Sequence, residues 1–153
     1  AGEYKALGID EWAEKPFLVE KSGRITFYDL ASKKIVYEFT PVDSLASEVL
    51  AVKYDPLKQR FIYGTGDGNI SIFQLHYDAS YGENRRLITP RIEPLITAPV
   101  LKPEDPILVS DLASGDAGET MLVAGIFTAG EKISVPVAIV TRESSLGFQR
   151  ASI

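Results

Sequence analysis

The stretch Arg60-Phe-Ile-Tyr-Gly-Thr-Gly-Asp-Gly-Asn-Ile-Ser-Ile-Phe-Gln-Leu75 constrains the fold more than any other. It reads as one β-hairpin, with a strand from Arg60 to Thr65, a turn at Asp67-Gly68 and a strand from Asn69 to Leu75. A two-residue hairpin loop needs positive φ at its centre to match strand twist, and Asp-Gly adopts that at little steric cost. The second strand turns Ile70, Ile72 and Gln74 to one face and Ser71, Phe73 and Leu75 to the other. Both faces are largely apolar, the pattern of a strand held between two layers.

The rest of the chain repeats this style. Residues 5–9 read as a short strand, followed by a loop from Asp10 to Pro16. Phe17–Val19 is an apolar strand, Ser22-Gly23 a second tight turn, Arg24–Leu30 a strand and Lys34–Phe39 a fourth. The pattern restarts with Val49–Tyr54 and a turn at Asp55–Lys58. Turn signals recur about every ten residues and no helical period appears, which is an all-β signature. Gly23–Leu30 matches Gly68–Leu75 in character at an offset of 45 residues. The earlier strands align as well, Phe17–Val19 on Phe61–Tyr63 and Leu7–Asp10 on Ala51–Tyr54. A period near 45 with four strands per unit marks the blades of a β-propeller.

Residues 5–76 resemble WD40-type blades, with Tyr28-Asp29 where that family places Trp-Asp. The chain departs from the family in lacking a Gly-His dipeptide and in carrying Gln74 in place of the second Asp. The family's Asp-His-Ser-Trp network is therefore not carried over. Units of the form Asp-Gly-x-Ile/Leu-x-Leu/Phe followed by a Pro-containing segment also resemble the extracytoplasmic domain of some bacterial phosphate-transport permeases. That second resemblance implies a domain set between membrane segments of an ABC-transporter subunit.

Further along, Arg85–Thr97 fits the outer strand of the second unit, since edge strands tolerate Pro90 and Pro94. Residues 99–106 read as a linker. Ile107–Asp111, Thr120–Ala124 and Ile133–Val140 form a third, degenerate unit with its hairpin near Ala129-Gly130. The expectation is an all-β chain of about three four-stranded antiparallel propeller-like units, at about 5–40, 49–97 and 106–141, with a β-sandwich or barrel as the alternative. Closed propellers have roughly four to eight blades. Three true blades would leave an apolar face uncovered on the first and last sheets. A second copy, or further blades of the parent protein, would complete the ring. The opening Ala-Gly-Glu, without initiator Met or signal peptide, reads as the start of a piece of something longer.

Chemistry is sparse. A net charge of −5 argues against a nucleic-acid or anionic-lipid surface. The absence of cysteine excludes disulfides and thiolate sites. No uncharged run approaches the roughly 18 residues of a membrane span. Gly64–Asn69 resembles a phosphate-binding glycine loop, but a strand follows it where a helix N-terminus is required. Gly64 and Gly66 instead suggest close backbone approach between blades. The sole histidine, His76, has no evident catalytic or metal partners and reads as a strand-end residue. Asp111, Asp116 and Glu119 stand in a Ser/Gly-rich stretch without the spacing of a calcium loop. Arg85, Arg86 and Arg91 form the best basic patch, able to meet a phosphate or an acidic partner. Tyr77 and Tyr81 are expected in a loop open to an interface. Asn69-Ile-Ser71 fits a glycosylation sequon inside a strand.

The sequence therefore predicts a non-catalytic interaction or sensing domain, with no catalytic, cofactor-binding or metal residues and no cofactor. In its most concrete form it is the periplasmic domain of a phosphate-uptake permease, contacting a binding protein or another subunit. A cytosolic WD40-type scaffold is the alternative, and a propeller enzyme comes third.

Overall fold

In the computed structural model, which describes residues 3–41, 45, 47–82, 84–99, 107–117, 120–141 and 148–152, every regular element is a β-strand. The first sheet is an antiparallel meander of β1 (Tyr4–Asp10), β2 (Lys15–Glu20), β3 (Ile25–Tyr28) and β4 (Ile35–Phe39), in that order. The second follows the same order with β5 (Val49–Asp55), β6 (Arg60–Thr65), β7 (Asn69–Gly82) and β8 (Arg85–Pro99). The third comprises β9 (Ile107–Ala117), β10 (Thr120–Ala129), β11 (Lys132–Ser134), β12 (Pro136–Thr141) and β13 (Phe148–Ser152). One edge of β10 is paired with β9, and the other with β12 and then β11. Strands β11 and β12 thus share one position interrupted at Val135, and this sheet too is four positions wide. The fold is all-β and propeller-like, and the described sheets do not close into a ring.

The sheets stack in chain order. Strand β1 lies against β5, β4 against β8, and β9 against β5 and β6. The middle sheet has both faces covered, as the two-sided apolar pattern of Ile70–Leu75 requires. Phe61, Tyr63, Phe73 and Leu75 join Phe17, Val19, Ile25 and Phe27 of the first sheet in one buried cluster. On the opposite face Ile62, Ile70 and Ile72 meet Val109, Leu112 and Phe127 of the third. Burying a side chain of this size from water contributes about 1.5–3 kcal/mol, so these layers supply most of the cohesion. Gly64 has a specific role here. A Cβ at that position would stand 2.7 Å from Val109 Cγ1, so only glycine admits the third sheet. Gly66 does not share this role, since its nearest neighbours are Ser47 and Leu50 beside its own sheet.

The repeat runs at 45 residues through three strands, which corrects the sequence alignment of the first two by one position. Tyr4↔Glu20, Ala6↔Val19 and Asp10↔Lys15 correspond to Val49↔Thr65, Ala51↔Gly64 and Asp55↔Arg60. The bulge between Tyr4 and Ala6 recurs between Val49 and Ala51. Phe17 therefore corresponds to Ile62, not Phe61. The distinction matters because a one-residue slip turns every side chain to the other face. Strands apolar on both faces carry no alternation from which to choose the register.

Both expected glycines lie at positive φ, Gly23 at 87° and Gly68 at 81°. The turn differs from the two-residue form. Gly68 N–H donates to Thr65 C=O at 3.0 Å and Asp67 is not at positive φ, so Gly66-Asp67 occupy the corners and Gly68 follows in the left-handed region. That is the three-residue loop with a glycine bulge. Gly23 N–H repeats it by donating to Glu20 C=O at 2.8 Å.

Two expected loops are strands. Strand β7 continues past Leu75 to Gly82, so His76, Tyr77 and Tyr81 are strand residues. The turn-like run Asp78-Ala-Ser is overridden by an unbroken partner, β8, from Tyr77↔Pro90 to Gly82↔Arg85. Likewise Asp111 and Asp116 lie on β9, paired with Ile126 and Met121.

Candidate interaction surfaces

Among the described residues, exposed apolar side chains stand on the outer faces of both end sheets. Leu7, Leu18 and Thr26 stand in one cross-strand row of the first sheet, on the face turned away from the second. Leu7 is 78% exposed and Ile9, on the same face, is also exposed. The counterparts in the second sheet are Val52, Tyr63 and Ser71 for that row, with Tyr54 in place of Ile9. There the first sheet covers them: Tyr63 and Ser71 are fully buried, and Val52 and Tyr54 pack on the shared core. Leu7 and Ile9 are therefore open where Val52 and Tyr54 pack beneath a preceding sheet, while Thr26, like its counterpart Ser71, is buried. At the other end, Ile126 and Ile133 (71% exposed) face outward from the third sheet.

A polar lock at the first two sheets escaped the sequence reading. Asp10, 1% exposed, ends β1 and turns to the second sheet. Tyr54 Oη donates to its Oδ1 at 2.6 Å and Tyr77 Oη to its Oδ2 at 2.7 Å. Ala13 N–H and Gln59 Nε2 add longer bonds at 3.1 and 3.4 Å. Burial first, then Asp10, pushes both tyrosine hydroxyls well above their ordinary pKa, so they remain donors. The four donors fill the roughly four acceptor positions of a carboxylate, closing it to a ligand. The donors Tyr54 and Tyr77 lie 44 and 67 residues away, a separation no local motif announces.

The residues with candidate chemistry are dispersed. His76 Nε2 lies 2.8 Å from Glu93 Oε2 across the β7–β8 ladder, at an exposed position. Asp116 faces inward and meets Arg60 Nη1 at 3.3 Å, whereas Asp111 is five residues along β9, on the opposite face. They cannot converge on one ion; Glu119 lies outside the described residues. Arg91 pairs with Asp78 at 3.3 Å, while Arg85 and Arg86, at the tip of the β7–β8 hairpin, have no ion pair among the described residues. Within the Gly64–Asn69 turn, Thr65 Oγ1 and Asn69 Nδ2 both donate to Asp67, at 2.5 and 2.9 Å, so a carboxylate fills the place a phosphate would need. Ser71, of the sequon, is buried against Thr97. A shallow cleft near Glu3, Glu20, Lys21 and Glu48 has its charges paired internally, Lys21 bridging Glu3 and Glu48 at 3.2 and 2.9 Å.

No family model matches the chain, and no curated protein does. Nineteen chains of solved structures match it. One is the beta-propeller domain of Cps50 (Swd1) from Myceliophteria thermophila, at a TM-score of 0.55 and 9% sequence identity. The alignment covers 96% of this chain and 42% of that one, so the chain spans less than half the length of that propeller structure. At this identity the likeness concerns the fold alone, that of a β-propeller.

Proposed function

We propose that this chain is a non-catalytic, β-propeller-type interaction module whose end sheets dock further sheets, from a second copy or from the rest of the parent protein. One observation carries this reading. Leu7 and Ile9 are exposed and Leu18 is half-buried at the positions where Val52, Tyr54 and Tyr63 pack against a preceding sheet. The non-catalytic part is supported by the use of the carboxylates, since Asp10, Asp29 and Asp116 are each engaged in structural bonds. A hydrophobic dye should bind the isolated chain and lose binding in the Leu7→Glu, Ile133→Glu double variant. A chain that binds no dye would refute the docking role.

The finer reading, a periplasmic domain of a bacterial phosphate-uptake permease in contact with other transporter subunits, rests on the Asp-Gly-x-Ile style of the repeats. Sequencing the parent gene tests it. Membrane-spanning segments on both flanks would support the permease, and soluble flanks would replace it with a cytosolic WD40-type scaffold.

A further inference from the structure

The β7–β8 hairpin extends well beyond its counterpart in the first sheet. Ile25 pairs with Phe39 and the β3–β4 ladder ends at Tyr28↔Ile35, whereas Ile70 pairs with Ala98 and β7–β8 continues to Gly82↔Arg85. The extra length forms an arm. Strand β6 accompanies β7 only to Arg60↔Gln74, after which Leu75 N–H still reaches Gln59 C=O at 2.8 Å. Alternate residues of an antiparallel strand turn their N–H and C=O to the same edge. Tyr77, Ala79 and Tyr81 therefore direct theirs to an edge along which no described strand pairs. Such edges are usually guarded by Lys or Pro. Residues 76–82 contain neither, while β8 carries Pro90, Pro94 and Pro99.

The two faces of the arm differ. One carries the cross-strand contacts of His76 with Glu93 and Arg91 with Asp78. The other carries Tyr77, Ala79 and Tyr81 opposite Pro90, Ile88 and Arg86. Trp12, 65% exposed, stacks on Tyr77 with ring centroids 5.4 Å apart, and Tyr81 is 80% exposed. Exposed Trp, Tyr and Arg on an unguarded strand edge are the groups that dominate binding hot spots. Arg85 and Arg86 have no ion pair among the described residues, and their positive charge sets the sign of what they would meet.

We infer that the β7 edge of this arm binds an extended acidic peptide by strand addition. The peptide backbone pairs with Tyr77, Ala79 and Tyr81, an apolar side chain rests on Trp12 and Tyr77, and a carboxylate meets Arg86. The inference deepens the interaction-module reading and rests on it, by naming a partner class and a second surface.

Trp12 is the only tryptophan, so its fluorescence reports on this site alone. An array of synthetic peptides of roughly strand-spanning length, alternating apolar residues with acidic, neutral or basic ones, supplies the probe. The strongest binder is then titrated against Trp12 emission. The acidic set should bind and shift the emission. N-methylation of alternate peptide amides should abolish binding. Arg86→Glu should weaken it about tenfold, and Leu7→Glu should leave it unchanged. An array without binders, binding blind to charge, or an equal response to inorganic phosphate would overturn the inference. So would an Arg86→Glu effect on self-association, which would mean that the arm binds a second copy. Loss of self-association in Leu7→Glu with peptide binding intact separates the fate of this site from that of the sheet faces.

Discussion

In the first sheet Lys15 Nζ reaches Asp29 Oδ1 at 2.8 Å, while at the corresponding places in the second Arg60 Nε donates to Gln74 Oε1 at 3.3 Å. The geometry repeats and the charge does not. Opposite an amide, the Arg60 cation is left to a carboxylate elsewhere, and Asp116 of the third sheet supplies it at 3.3 Å. Val19 and Gly64 show the same divergence: valine is buried in the first sheet, and glycine gives way to Val109 in the second. On the opposite face Tyr63 is sealed and its counterpart Leu18 is only half-buried. One frame thus serves two situations, a sheet with neighbours on both sides and a sheet with a neighbour on one.

Truncating the two counterparts gives the largest expected contrast. Tyr63→Ala removes a buried ring and a hydroxyl bonded to Gly23 C=O at 2.9 Å, and should cost about 4 kcal/mol in urea unfolding. Leu18→Ala should cost under about 1 kcal/mol in the monomer, because its face is open. Equal losses would erase the distinction between the sheets. Gly64→Val should cost about 2 kcal/mol by pressing on Val109, and a neutral result would detach the third sheet from the second. Gly23→Val and Gly68→Val should each cost more than about 1 kcal/mol, since a β-branched residue is strained at positive φ. A Cβ at Gly23 would in addition press on Leu45 and Pro41, so a neutral Gly23→Val would contradict the turn geometry outright.

The fourth contrast is in acid. The Lys15 hydrogen bond, with help from the Ser32 backbone, holds the Asp29 carboxyl well below its ordinary range. The folded state therefore binds fewer protons at that site than the unfolded state. The associated stability is present above the unfolded aspartate pKa of about 3.9 and is lost as pH falls toward the lower folded value. Asp29→Asn should flatten that acid-side loss in denaturant titrations, and Gln74→Glu, at the corresponding place, should add to it. An unchanged pH profile in Asp29→Asn would remove the ion pair from the account.

Glycine at positive φ made both turns legible, and the contrast of apolar runs with turn residues made the strands so. The register was not. Phe61, Ile62 and Tyr63 are all buried, so the apolar pattern of that strand does not distinguish a repeat of 44 from the 45 at which the turn glycines recur. The arm was hidden for a different reason. Asp78-Ala-Ser has turn composition, and only the ladder to β8 makes it a strand. The Asp10 lock depends on Tyr54 and Tyr77, which come close only after the sheets stack. The open faces were legible in kind, because three two-sided sheets must leave two faces uncovered, although Leu7 and Ile133 were not identifiable without the register.

Sedimentation velocity of the isolated chain across micromolar concentrations tests the central claim, that the end sheets are blade faces awaiting a neighbouring sheet. The isolated chain should self-associate reversibly, and Leu7→Glu or Ile133→Glu should abolish this with the fold intact by circular dichroism. A wild-type chain that stays monomeric throughout and binds no hydrophobic dye would contradict it.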